Sequence, residues 1–143
     1  MSAAIGGESS GRRHARWLLI AFYAVAGVAH LIVTDAMVRI TPVLVPHPHA
    51  VVVMTGLCEL AGVIGLASRR WRIAAGWALA AYAVCVFPAN IKHLIHDLGG
   101  HTGLSIWYHG PRMVAQPIIV WWALWASGAI DWPFARRADA SVR

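Results

Sequence analysis

Residues 50–67 read AVVVMTGLCELAGVIGLA, a run of 18 residues with a single charge, Glu59. At about 1.5 Å per residue, a helix of this length lies at the lower end of what crosses a bilayer. Backbone in lipid has to satisfy its own hydrogen bonds, so the run is predicted to be a helix and not a strand. Glu59 then sits roughly 13 Å from the start of the span. A carboxylate at that depth costs about 2.5–3.5 kcal/mol on insertion scales, so it needs a proton, a partner or water.

The rest of the chain repeats the pattern. Apolar runs also cover Trp17–Val33, Ile73–Ala89 and Met113–Ile130, and the third continues past Pro88 to about Asp97. The chain of 143 residues is 59% hydrophobic and 13% charged. A soluble domain is roughly 45–50% apolar and about 25% charged, so the composition is that of a membrane protein. The expected fold is all-α: an integral membrane four-helix bundle over 17–130, with spans about 17–33, 50–67, 73–97 and 112–130. Residues 1–16 read as a disordered basic tail and 131–143 as a second basic tail.

The basic residues alternate in side. Arg12, Arg13, Arg16, Arg69, Arg70, Arg72, Arg136, Arg137 and Arg143 fall on one side; Arg39, Lys92 and Arg112 fall on the other. The positive-inside rule then places both termini in the cytoplasm, in what reads as a bacterial cytoplasmic membrane. A rival reading takes GRRHARWLLIAFYAVAG (11–27) as a signal peptide cleaved after AVA. The polar stripe on that run argues for a retained span. The net charge of +6 follows from these flanking arginines, so nucleic acid is not an expected partner.

Positions three or four apart share a helix face. Tyr23, Ala26, Gly27, His30 and Thr34 form one stripe. Thr55, Glu59, Gly62 and Leu66 form a second, and Gly76, Ala80, Ala83, Phe87 and Asn90 a third. Arg112, Gln116, Val120, Ala123 and Ser127 form the last. Small and polar residues mark helix–helix contacts in lipid. Trp121, Trp122 and Trp125 lie opposite and are expected to face lipid. Cys58 and Cys85 form no C-x-x-C and read as buried small hydrophobes. Between the first two spans, Thr34–His49 begins with a helical turn capped by Thr34 or Asp35. Pro42, Pro46 and Pro48 then exclude a long helix.

The segment FPANIKHLIHD (87–97) carries the third helix out of the membrane, and Pro88 loosens or kinks it. Pro117 is expected to do the same in the fourth span. His30, Glu59, Asn90, His93, Arg112 and Gln116 fall at similar depth and are predicted to line one pocket in the outer half of the bundle. Lys92 snorkels to the headgroups. His30, His47, His49, His93, His96, His101 and His109 also lie on the outer half. Spacings such as H-P-H and H-L-I-H match no specific metal motif, so neither metal nor haem is expected.

The segments AGVAHLI (26–32), ITPVLVP (40–46), GLCELAGVIGL (56–66), FPANIKH (87–93) and PRMVAQPIIVWWALW (111–125) resemble the DoxX-like small membrane proteins in order and spacing. The resemblance covers most of Gly27–Trp125. It implies a four-helix membrane bundle acting as a membrane component of a redox or stress-response system. His30, Pro42, Pro46, Glu59, Pro88, Asn90, Arg112, Gln116 and Pro117 match its motif positions. Lys92 departs from the apolar or aromatic residue expected there.

The leading expectation is a redox component that binds a quinone, or docks a redox-protein partner, at the outer pocket. A small proton-linked transporter and a non-catalytic structural subunit, either able to form a homo-oligomer in the lipid bilayer, are the alternatives. No nucleophile–base motif or phosphate-binding loop marks an independent enzyme, and no catalytic residue is assigned.

Overall fold

The structure, a computed structural model, describes residues 8–43, 45–100 and 103–134. It is all-helical, with no strand among the described residues. The helices are α1 (Ser10–Ile32), α2 (Thr34–Arg39), α3 (Pro48–Ala67), α4 (Arg72–Gly100) and α5 (Ile106–Ser127). Three of them, α1, α3 and α4, are long and apolar enough to cross a membrane. Helix α5 has the length, about 33 Å, but its first three turns carry His109, Arg112 and Gln116.

Local chemistry sets the ends. Ser9 caps α1 by accepting the Arg12 N–H at 3.3 Å. Helix α1 therefore starts seven residues before Trp17, so Arg12, Arg13 and Arg16 are helical and not part of a disordered tail. Residues 1–7 of that tail lie outside the described residues. Pro48 opens α3, where its missing N–H is harmless. Gly128, at φ 85°, closes α5 in the left-handed conformation that glycine adopts freely. Helix α5 covers 106–127, six residues earlier at its start than the expected span at 112–130. Thr34 does not cap α2: its hydroxyl donates back to the His30 carbonyl at 2.7 Å. Helices α4 and α5 run continuously through Pro88 and Pro117.

The four long helices form a ring in which α1 packs on α3, α3 on α4, α4 on α5 and α5 on α1. Small residues set the spacing. A Cβ on Gly27 would lie 3.0 Å from the Gly56 carbonyl oxygen, and one on Gly56 would lie 2.9 Å from the Gly27 carbonyl oxygen. The α1 and α3 backbones therefore touch at this pair. Gly76 does the same for α4 against Ala123 and Ser127 of α5. Leu19, Tyr23, Leu66, Leu79, Ala80, Ala123 and Ala126 form the dry core. It lies toward the end that holds the α1 N-terminus, the α3–α4 turn and the α5 C-terminus.

Ion pairs tie that end together. Arg16 and Arg72 both bind Glu8, and Arg12 meets Asp131 at 2.5 Å. Large apolar side chains such as Trp17, Val25, Ile32, Ile64, Trp77 and Val84 stand on the outer surface, as lipid-facing residues do. Cys58 and Cys85 are on that surface too, contrary to the expectation that they are buried. Trp122 also departs from its expected lipid-facing place. Its indole N–H donates to the Ala15 carbonyl at 2.9 Å, and the ring lies beside Phe22 of α1.

Two outcomes follow. Gly56→Val pushes a branched side chain into His30 and the Gly27 carbonyl, so α1 and α3 have to separate. A loss of about 1–3 kcal/mol is expected in a detergent unfolding titration followed by circular dichroism. The Arg16 hydrogen bond, then the charges of Arg16, Arg72 and Arg12, hold the Glu8 carboxyl below its ordinary 4.5. This contribution is present above the unfolded value and is lost as pH falls through the depressed folded one. Glu8→Gln should therefore lower stability near neutrality and leave it unchanged at low pH, where Glu8 is protonated folded or unfolded, so the acid-side slope of the stability-versus-pH profile flattens.

Candidate functional site

One turn beyond the glycine contact, α1 carries His30 and α3 carries Glu59. Helical periodicity places each over its glycine, so the close backbone approach brings the two side chains together. His30 Nδ1 lies 2.8 Å from the Ala26 carbonyl oxygen and 3.1 Å from Glu59 Oε2. A carbonyl oxygen only accepts, so Nδ1 carries the hydrogen. That N–H points at Ala26. Glu59 Oε2 is close to it but off its axis, and has no aligned donor among the described residues. On the other side, the Tyr82 hydroxyl of α4 donates to Glu59 Oε1 at 3.2 Å. Glu59 is 4% exposed, so its carboxyl communicates with its surroundings through these two side chains.

His30 and Tyr82 also line a cavity of about 180 Å³ between α1, α3, α4 and α5. Helix α2 and the proline loop after it, through Met37, Ile40, Thr41, Pro42 and Val45, form its roof. Val51, Val52 and Val86 supply apolar wall, while Thr55, Asn90, His93 and Arg112 supply polar groups. Outside it, between α3 and α4, runs an apolar groove of about 300 Å³ lined by Ala50, Val51, Met54, Thr55, Cys58 and Tyr82. Groove and cavity share Val51, Thr55 and Tyr82, so they adjoin.

The far wall is built by α4 against α5. Asn90 Nδ2 donates to Gln116 Oε1 at 3.1 Å, and Gln116 Nε2 donates to the Ala83 carbonyl at 2.6 Å. This pair sits where Pro88 interrupts the α4 hydrogen-bond ladder. Arg112 Nη1 lies 3.5 Å from His93 Nδ1, and its guanidinium stands 5.8 Å from the Tyr108 ring centre. Arg112 is half-buried and meets no carboxylate among the described residues. A guanidinium held at a cavity wall without a counter-charge is a site for an anionic or carbonyl oxygen.

Four of the six expected pocket residues line the cavity: His30, Asn90, His93 and Arg112. Glu59 and Gln116 stand one hydrogen bond behind the wall. Tyr82 was not anticipated, although Tyr82, Val86 and Asn90 recur at intervals of four along one edge of α4. Asp97 shares a side of α4 with His93, as their spacing of four predicts, whereas His109 was not anticipated as their partner. Asp97 Oδ2 lies 3.1 Å from His93 Nε2 and 3.0 Å from His109 Nε2. The signal for His109 was lost because the fourth span was expected to begin at Arg112. His101 lies outside the described residues.

The His30–Glu59 pair yields a direct measurement. In a double-mutant cycle of His30→Ala and Glu59→Gln, unfolding free energies should be non-additive by about 0.5–3 kcal/mol. Additive losses would mean that the two side chains are neighbours without being coupled.

Among known proteins, no curated sequence and no solved structure matches this chain. A family described as "Domain of unknown function (DUF8561)" matches residues 19–127. That span starts at the first buried leucine of α1 and ends at the last residue of α5, so it takes in α1 from Leu19, all of α2–α5 and the cavity. The chain therefore belongs to the DUF8561 family.

Proposed function

We propose that this protein is a four-span component of a membrane redox system that binds the headgroup of a quinone in the cavity beneath α2. The observation that carries the reading is the pairing of a polar cavity with an apolar groove across Thr55 and Tyr82. A quinone has the matching shape: a ring with two carbonyl oxygens and a long hydrocarbon tail. The ring fills the cavity, and the tail leaves through the groove into lipid. Arg112 and Asn90 donate to one carbonyl. His30 and Tyr82 stand between the ligand and Glu59, so protons taken up on quinone reduction have a route through a buried carboxyl. The motif resemblance to DoxX-like proteins supports the same redox assignment.

In this reading α5 is the fourth span. The end holding Arg12, Arg16 and Arg72 faces the cytoplasm of a bacterial cell, and the cavity opens near the outer leaflet. The electron donor in this reading is a separate redox protein.

A short-tailed ubiquinone or menaquinone analogue, titrated into detergent-solubilised protein, should quench tryptophan fluorescence saturably. Arg112→Ala should weaken binding by about tenfold, or 1.4 kcal/mol. A non-saturable signal in wild type, or wild-type affinity in both Arg112→Ala and His30→Ala, would remove the quinone reading. Ion or solute flux in proteoliposomes without quinone binding would favour a transporter instead.

A further inference from the structure

Beyond the cavity, the geometry points to a divalent transition-metal site formed by His93, Asp97 and His109, with zinc as the best-matched ion. His93 and Asp97 are four residues apart on α4 and share one face. His109 comes from the first turn of α5. One ligand atom from each, His93 Nε2, Asp97 Oδ2 and His109 Nε2, lies within 4.8 Å of the others. The distances to Asp97 Oδ2 are 3.1 Å from His93 and 3.0 Å from His109. Zinc binds imidazole nitrogen and carboxylate oxygen at about 2.0–2.2 Å, which sets tetrahedral ligand atoms about 3.4 Å apart. A shift of a few tenths of an ångström at each carboxylate–imidazole contact therefore admits the ion.

The surroundings are organised around that carboxylate. Asp97 is 8% exposed and His109 is fully buried. The Leu104 N–H donates to Asp97 Oδ2 at 2.9 Å. Gly103 presses on the same carboxyl so closely that a Cβ would overlap it. Without an ion, Leu104 and His109 hydrogen-bond to Asp97 Oδ2 and occupy the two lone pairs that a carboxylate oxygen offers. His93 Nε2 is crowded against the same oxygen at 3.1 Å without an aligned hydrogen bond to it. A cation removes the crowding, because both imidazoles then present lone pairs to it in place of protons.

Two imidazoles and one carboxylate leave at least one coordination position open, as in catalytic zinc and non-haem iron sites. The site adjoins the cavity through His93. Metal on His93 Nε2 moves the ring hydrogen to Nδ1, which Arg112 now faces at 3.5 Å. Arg112 must then turn away from His93. The proposal does not depend on quinone binding: neither Asp97 nor His109 lines the cavity.

The test uses untagged, full-length protein in detergent, stripped with a chelator and dialysed against micromolar zinc. Wild type should retain about one zinc per chain, read by elemental analysis, and cobalt should give the intense visible bands of a low-coordinate site. His109→Gln and Asp97→Asn should each lower zinc affinity by more than the roughly 10–100-fold that an outer-shell change produces. The pair His47→Ala and His49→Ala, in the loop before α3, should leave retention unchanged. Folded wild type that retains no zinc and gives no cobalt bands overturns the proposal and leaves a metal-free hydrogen-bonded clamp. So does zinc that is lost with His47 and His49 but kept in His109→Gln. Should a variant misfold by circular dichroism, the wild-type stoichiometry and cobalt spectrum decide the question alone.

Discussion

Two glycines in contact, Gly27 on α1 and Gly56 on α3, determine where the polar chemistry of this protein sits. Apolar helix surfaces gain little by leaving lipid for each other, so association in a bilayer depends on close packing and hydrogen bonds. A glycine pair provides the first and creates the second. Because α1 and α3 run antiparallel, His30 and Glu59 lie one turn to either side of the contact, and their side chains, each leaning toward its own helix N-terminus, meet at 3.1 Å. The acid that made residues 50–67 anomalous is thereby buried beside an imidazole, and α4 completes its shell with Tyr82.

The bundle divides into two halves with different physics. At the arginine-rich end, Leu19, Leu66, Leu79, Ala123 and Ala126 pack without polar atoms, and ion pairs close the rim. At the other end the helices hold side chains that hydrogen-bond across gaps, and a cavity opens under a short helix and a proline loop. The dry half supplies rigidity. The wet half tolerates empty space because its polar groups are held by α4–α5 amide contacts and the His30–Glu59–Tyr82 chain. A ligand-binding cavity needs both: walls that do not collapse and groups that are not all satisfied by one another.

Arg112 stands at the junction of the two proposed activities. It lines the cavity, yet its nearest polar neighbour, His93, reaches past it to Asp97 and His109. Whatever occupies the His93–Asp97–His109 cluster therefore alters the electrostatics of the cavity wall through a single side chain.

Composition and periodicity were enough to predict an all-helical chain with helices apolar enough to cross a membrane, and to group His30, Asn90, His93 and Arg112, which line one cavity. Both properties are local: a run of apolar residues and a spacing of three or four define a face before any partner is known. Helix ends were less legible. Helix α1 extends about two turns over the charged residues Arg12, Arg13 and Arg16, because the Ser9 cap outweighs the change in hydropathy, and α5 starts six residues earlier than its apolar run. Tertiary structure alone decided which polar residues meet. Tyr82 reaches Glu59 from 23 residues away, and His109 reaches Asp97 across a turn. Neither contact has a spacing signature, because each depends on the distance and rotation between two helices. Those are fixed by where small residues let backbones approach, a property of the assembled bundle and not of any single run.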